Sequence, residues 1–292
     1  MKNNLSLILI LSSLFCSVFA QEDSKDFTYD PETQSVKPSY LGKVILIKGS
    51  ISSLSKEGKK KALKKESKIF AGDTLMTEAR SMVKVEMIDT TVLTVAPKSE
   101  FKFDKWDYKT KEERSAVFQV LKGKIRSNIK VKSRKKGSLE YKVGSVSMGI
   151  RGTRILANYY KRRDNVTVSH VVVLTGKTEI YDSANDQSLE LNAGSQYISF
   201  LKQDGTILKS EQSSLSQNQL KELKANDKNP NKYFKPFLPS ITSKDLQSSN
   251  TQNQALKKTK SKNYQRRMKP ESKKSWKSTL KKLNNRLGEE DD

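Results

Sequence analysis

Apolar and polar positions alternate over many short segments between residues 39 and 210. Residues 44–47 form an apolar run typical of a buried strand, while residues 81–88 and 100–108 alternate with a period of two. Turn-forming residues separate these segments at intervals of about 8–12 residues. The pattern predicts an all-β domain over residues 39–210, either an irregular β-sandwich or a short β-coil of many short strands.

A strand-like alternation over residues 141–148 runs into a turn in which two glycines bracket an arginine. Glycine reaches backbone angles that other residues avoid, and arginine carries a rigid fork of donors. We expect a corner where a strand turns inside the β core, with the arginine holding nearby carbonyl groups. In the alternative interpretation the arginine anchors a ligand or a partner. The five residues of this candidate site are Gly149, Ile150, Arg151, Gly152 and Thr153.

The first twenty residues have the pattern of a cleavable signal peptide. Lys2 supplies a positive start, two apolar segments follow, and short side chains precede a cleavage point after Ala20. We therefore predict an exported, periplasmic protein. The residues just before Cys16 are too bulky for a lipidation site, so we do not expect a lipoprotein. Since Cys16 is the single cysteine, the processed chain has neither a disulfide nor a thiol nucleophile.

The segments on either side of the β domain have different compositions. Residues 21–38 are polar and predict a flexible lead-in. Residues 211–240 predict a short helix that uses Leu220 and Leu223, followed by a proline-aromatic extension that packs on the domain. Residues 241–292 are poor in apolar side chains and predict a mostly disordered basic tail that ends in a short amphipathic helix.

The amphipathic helix of the tail combines one apolar face with a dense set of cations. Such a helix binds an anionic membrane or docks on a partner, whereas a helix of this length alone is rarely stable in water. The alternative is therefore a marginal helix without a target. The predicted residues for binding an anionic surface are Lys273, Lys274, Trp276, Lys277, Lys281, Lys282 and Arg286.

The composition favours anionic partners and gives no sign of catalysis. The formal net charge is +24, which favours an anionic membrane or cell-wall polymer, and export argues against a physiological nucleic acid. His170 is the single histidine and lies in a valine-rich strand, so we interpret it as a satisfied strand histidine. No metal-ligand spacing or nucleophile elbow is visible, and we predict no enzyme, no cofactor and no metal. A carboxylate pair assembled by folding stays open as an alternative.

The order of these motifs resembles the FecR domain family. The turn of residues 149–153 looks like the Gly-Val-Arg-Gly-Thr signature of that family, and the resemblance spans about residues 40–200. Weaker matching pieces lie on both sides of it: Gly42-Lys-Val, Ala71-Gly-Asp-Thr-Leu, Ser81-Met-Val-Lys-Val, Asp89-Thr-Thr-Val-Leu, Leu121-Lys-Gly-Lys-Ile, Leu174-Thr-Gly-Lys and Leu191-Asn-Ala-Gly-Ser.

The resemblance implies an all-β extracytoplasmic domain without established catalytic residues. The best-known members are membrane-spanning regulators that pass an iron-transport signal from an outer-membrane transducer to a cytoplasmic sigma factor. This chain departs from them, because a cleavable signal leads into the β domain without a sigma-binding part, and because Thr90 replaces a usual glycine. We predict a freestanding, non-enzymatic module that binds or scaffolds an unidentified envelope protein or glycan. The alternative is a periplasmic signal relay that binds a membrane-spanning partner.

Overall fold

The computed structural model of the protein describes residues 27–31, 35–132 and 138–225. The segment predicted as a flexible lead-in contains two short strands, β1 (Phe27–Asp30) and β2 (Ser35–Pro38). They pair antiparallel, with Phe27 opposite Pro38. This hairpin is a compact unit separate from the rest of the described chain.

Seventeen further strands within the described residues join in one hydrogen-bonded network. They are β3 (Gly42–Lys48), β4 (Ile51–Leu54), β5 (Lys60–Ala62), β6 (Lys68–Ile69), β7 (Thr74–Thr77), β8 (Met82–Met87), β9 (Val92–Val95), β10 (Ser99–Tyr108), β11 (Arg114–Asn128), β12 (Ser138–Val143), β13 (Val146–Ile150), β14 (Arg154–Lys161), β15 (Thr167–Thr175), β16 (Lys177–Asp182), β17 (Gln187–Asn192), β18 (Ser195–Leu201) and β19 (Ile207–Ser214).

The strands form two layers that share the long strand β11. Sheet I has the order β6-β3-β8-β9-β11-β14-β15-β18-β19. Sheet II has the order β5-β4-β7-β10-β11-β12-β13-β16-β17. Only β11 and β12 pair in parallel among these strands. The predicted all-β fold of many short strands is confirmed.

The core lies between the sheets and is filled by alternate side chains of both. At its centre four aromatic rings contact one another edge-on or tilted, with Phe101 5.0 Å from Phe103 and Phe118 5.3 Å from Tyr141 between ring centroids. Such pairs add to the stabilisation that comes from buried area. The Tyr141 hydroxyl is hydrogen-bonded to Ser127 Oγ at 2.7 Å, so its polar end is satisfied inside the core.

The turn between β8 and β9 keeps a glycine-like backbone although it has no glycine. Thr90 has φ 67°, in the left-handed region. Asp89 stabilises the turn, since its carboxylate accepts hydrogen bonds from Thr91 N at 2.9 Å and Thr91 Oγ1 at 3.0 Å. The buried Asp89 also forms an ion pair with the buried Arg114, which joins this turn to the start of β11.

A helix covers part of the outward face of sheet I. Helix α1 (Gln217–Ala225) begins with a capping box, in which Gln219 N donates to Ser216 Oγ at 3.2 Å and Ser216 N donates to Gln219 Oε1 at 2.8 Å. Its apolar side packs on the sheet in a cluster of Leu156, Val172, Leu174, Leu215, Leu220 and Leu223. Within the described residues no helix is long and apolar enough to cross a membrane.

Candidate binding site at the signature turn

The turn of residues 149–153 is the corner at which the chain crosses from one sheet to the other. It begins in the last two residues of β13 of sheet II and leads directly into β14 of sheet I. Within the turn Ile150 and Thr153 are buried, whereas Arg151 between them is exposed. The structure thus places a corner at the predicted position and presents one cationic side chain outward.

Two threonine hydroxyls hold the backbone of the corner against the start of β16. Thr178 Oγ1 donates to Gly149 O at 2.8 Å, and Thr153 Oγ1 donates to Lys177 O at 2.9 Å. The Thr153 carbonyl in turn accepts a hydrogen bond from Ile129 N at 3.1 Å. Because these bonds connect three separate segments, the corner is a fixed platform.

Only the second glycine of the turn is required by the local geometry. Gly152 has φ 68°, and a Cβ there would lie 2.6 Å from Cγ of Lys132. Its carbonyl would also lie 2.9 Å from a Cβ placed on Gly176, so the two backbones approach closely. At Gly149 the nearest atom to a Cβ would be Glu179 O at 3.9 Å, which is ordinary contact.

This corner lies inside a segment that matches a known family. The model of the family described as FecR protein matches residues 73–179. Residues 73–179 thus resemble the FecR family. The resemblance inferred from the motifs is therefore confirmed, and the corner contains the residues that match the signature of the family.

Solved structures similar to the chain share little sequence with it. Two crystal structures of a candidate anti-sigma factor from Parabacteroides distasonis ATCC 8503 match at 12% and 11% identity, each with a TM-score of 0.41. They cover 52% and 51% of this chain, and the matched part spans 63% of their own length. A structure titled "Cell surface anchoring domain" matches 21% of the chain and 80% of its own length at 26% identity, with a TM-score of 0.21. No curated protein matches the chain.

Arg151 does not hold carbonyl groups, which differs from our expectation. Its side chain is exposed, and no described residue forms a hydrogen bond or an ion pair with it. Thr153 and Thr178 hold the corner instead. The guanidinium therefore presents its donors to the outside, which fits the alternative interpretation of Arg151 as an anchor.

Further exposed cations lie on the segments that meet at the turn. Lys132 packs along Gly152, and Lys130 is exposed in the same segment. Lys177, whose carbonyl binds Thr153, pairs with Glu190 at 2.9 Å, but both side chains of this pair are substantially exposed and the pair is correspondingly weak. We call the exposed set of Lys130, Lys132, Arg151 and Lys177 the cationic corner. It is chemically suited to carboxylate, phosphate or sulfate groups.

His170 lies elsewhere, on the outward side of β15, and is satisfied as predicted. Its Nε2 is 3.0 Å from Gln196 Oε1, and Gln196 Nε2 donates to Ser213 Oγ at 3.0 Å. Burial lowers the pKa of His170; the charge of Lys124 acts in the same direction, whereas the hydrogen bond to Gln196 opposes the shift. Among the described residues, no group of three or more His, Cys, Asp or Glu side chains could hold a metal ion.

The other predicted site falls outside the described residues. It comprises the tail residues Lys273, Lys274, Trp276, Lys277, Lys281, Lys282 and Arg286, which remain a prediction. Sequence reasoning in turn missed Thr178 and the lysines of the cationic corner. No local pattern marks them, because only the pairing of β13 with β16 and of β11 with β14 brings them to the turn.

Proposed function

We propose that the chain is an exported, non-enzymatic FecR-domain protein that acts as a binding or scaffold module of the cell envelope. The cationic corner supports this proposal best. It combines a backbone tied by Thr153 and Thr178 with an exposed Arg151 that has no partner among the described residues. A fixed backbone under an exposed guanidinium reduces the ordering cost of binding, which is a property of recognition surfaces.

In this proposal the basic tail holds the module at an anionic surface while the corner contacts a partner. Each Lys or Arg near an anionic membrane contributes roughly 1 kcal/mol, so a cluster of six in the tail outweighs any single cation. The cationic corner contributes less to holding the protein at the surface, since it has few cations. The planar guanidinium of Arg151 instead fixes the orientation of the group that it binds. The partner is an envelope protein or an anionic glycan.

The proposal is tested by sedimentation of the processed full chain with anionic vesicles, neutral vesicles or cell-wall polymer over a series of salt concentrations. We expect retention on the anionic surface to fall steeply with salt and on deletion of residues 257–292. Arg151→Gln should reduce binding to the cell-wall polymer, which represents the glycan partner, more than Lys202→Gln, which changes an exposed lysine away from the corner. Retention on the anionic surface that changes neither with salt concentration nor on deletion of residues 257–292 would contradict the proposal.

A second candidate is a signal relay through a membrane-spanning partner, which the match to the FecR family favours. A photoreactive residue at position 151 distinguishes the two, with the same residue at position 202 as the matched control. Capture of a membrane-spanning protein from position 151 alone supports the relay. Capture of a glycan or of an extracytoplasmic protein without membrane spans supports the scaffold.

A further inference from the structure

The fold does not require a glycine at position 149. Gly149 lacks the positive φ that favours glycine, and a Cβ placed there would meet only Glu179 O at 3.9 Å, which is ordinary contact. It is exposed on the outward face of sheet II, because Met148 and Ile150 on either side of it point into the core. A glycine inside a strand lowers stability and often marks a place where a ligand or another backbone approaches closely.

Two carboxylates flank the space that the missing side chain leaves. Glu140 of β12 and Glu179 of β16 lie directly opposite Gly149 in the two neighbouring ladders. Glu140 Oε1 is buried, and no described residue donates a hydrogen bond to it. A buried acceptor without a donor is unfavourable, so a donor that enters here is favoured. We call the space above Gly149, between these two glutamates, the glycine gap.

Arg151 brings the opposite charge to the same gap. It follows Gly149 by two residues, which corresponds to roughly 7 Å along an extended chain. Arg151 and Glu140 nevertheless form no ion pair with each other, and neither has a salt bridge or a side-chain hydrogen bond to another described residue. A carboxylate that only accepts and a guanidinium that only donates thus lie beside the glycine gap.

We propose that the glycine gap binds an extended peptide segment with a basic and an acidic residue two positions apart. In an extended chain, alternate side chains lie on one face at a spacing of roughly 7 Å, which matches the separation of Gly149 and Arg151. The basic side chain binds the Glu140 carboxylate, and the acidic one binds the Arg151 guanidinium. The inference rests on the proposed function, since it assigns the envelope partner of the cationic corner to proteins.

The test measures the binding of short capped peptides to the processed full-length chain by nuclear magnetic resonance titration. The spaced probe has lysine and aspartate two positions apart. The matched adjacent probe has the same residues next to each other, where they point to opposite faces of an extended peptide. We expect the spaced probe to bind roughly tenfold more tightly, because only it can make both charge-assisted hydrogen bonds at once.

Replacement of Gly149 by valine separates binding from folding. Valine favours strands and its Cβ makes only ordinary contact at this exposed position, so the free energy of unfolding in urea should stay the same or rise. The valine side chain fills the glycine gap, so the spaced probe should bind roughly tenfold more weakly. Ser52→Val adds the same side chain to the outward face of sheet II on β4, far from the gap, and should leave the affinity unchanged.

The proposal is overturned if the spaced and adjacent probes bind equally, or if Gly149→Val folds and binds the spaced probe as before. Binding of an acidic polysaccharide that depends on Gly149, without binding of the peptides, would assign the gap to a glycan and also overturn it. If Gly149→Val does not fold, Glu140→Gln decides the question, since it keeps the shape of the side chain and should abolish the preference for the spaced probe. Loss of polymer binding in Arg151→Gln without any peptide binding would refute this inference alone and leave the proposed function standing.

Discussion

The buried ion pair between Asp89 and Arg114 allows a direct measurement of how the β8–β9 turn is held in this fold. Their side chains are 1% and 0% exposed. Arg114 Nε contacts the carboxylate as an ion pair without hydrogen-bond geometry, while its two terminal nitrogens donate to Lys111 O and, at 2.9 Å, to Val131 O. The guanidinium therefore ties two backbone segments to the turn that Asp89 and Thr91 form.

Replacement of Arg114 by methionine keeps most of the side-chain volume and removes the charge. The Asp89 carboxylate then stays in the core with only its two bonds to Thr91, and the carbonyls of Lys111 and Val131 lose their donor. We expect a loss of about 3–5 kcal/mol in the free energy of unfolding, because an uncompensated buried charge is the main cost. Adding Asp89→Asn should recover about 1–3 kcal/mol of this loss, since the two residues are directly coupled.

The assay is urea unfolding followed by far-ultraviolet circular dichroism, with Lys177→Met as the matched control. Lys177 also forms an ion pair, with Glu190, but it is 68% exposed, so its replacement should cost less than about 1 kcal/mol. The reasoning is refuted if Arg114→Met and Lys177→Met lose equal stability. It is also refuted if Asp89→Asn adds to the loss of Arg114→Met instead of relieving it.

Three further predictions concern a glycine, the helix and the histidine. In thermal unfolding, Gly123→Ala should cost at least about 2 kcal/mol more than Gly205→Ala, because both have positive φ but only at Gly123 would a Cβ lie 2.7 Å from the Lys98 carbonyl. Leu223→Ala should lower the free energy of unfolding in urea by about 2–4 kcal/mol by leaving a cavity under α1. Because the pKa of His170 is lowered in the folded protein, the unfolded chain binds a proton at this residue at a higher pH than the folded protein does. The free energy of unfolding should therefore fall as the pH drops below about 6.5. His170→Gln should remove this pH dependence, as measured by unfolding curves over a pH series.

Much of the fold could be predicted locally. The alternation over residues 81–88 and 100–108 appears as β8 and β10, and the predicted short helix with Leu220 and Leu223 is present and begins at a capping box that Ser216 and Gln219 form by themselves. Such signals depend on the period of the backbone and on residues three or four apart. The signature turn could also be predicted from local sequence, because it needs a glycine: Gly152 has a positive φ.

The roles of the residues at the candidate site could not be read in this way. Arg151 was expected to hold carbonyls, but Thr153 and Thr178 do so, because the pairing of β13 with β16 places their hydroxyls beside the turn. At the β8–β9 turn, the substitution of a glycine by Thr90 suggested a different geometry. The structure keeps the left-handed backbone, and the Asp89 carboxylate bonded to Thr91 holds it.

Local patterns were enough to predict which segments become strands, where the chain turns and which family the β domain resembles, since those features depend on neighbouring residues. The long-range packing instead sets which strands share a sheet, which exposed cations lie at the corner and that β15 is buried on both faces. A valine-rich run has the same appearance in a sequence whether one or both of its faces are buried. The difference is made by segments far away along the chain, because burial depends on what packs against a face and not on the face alone.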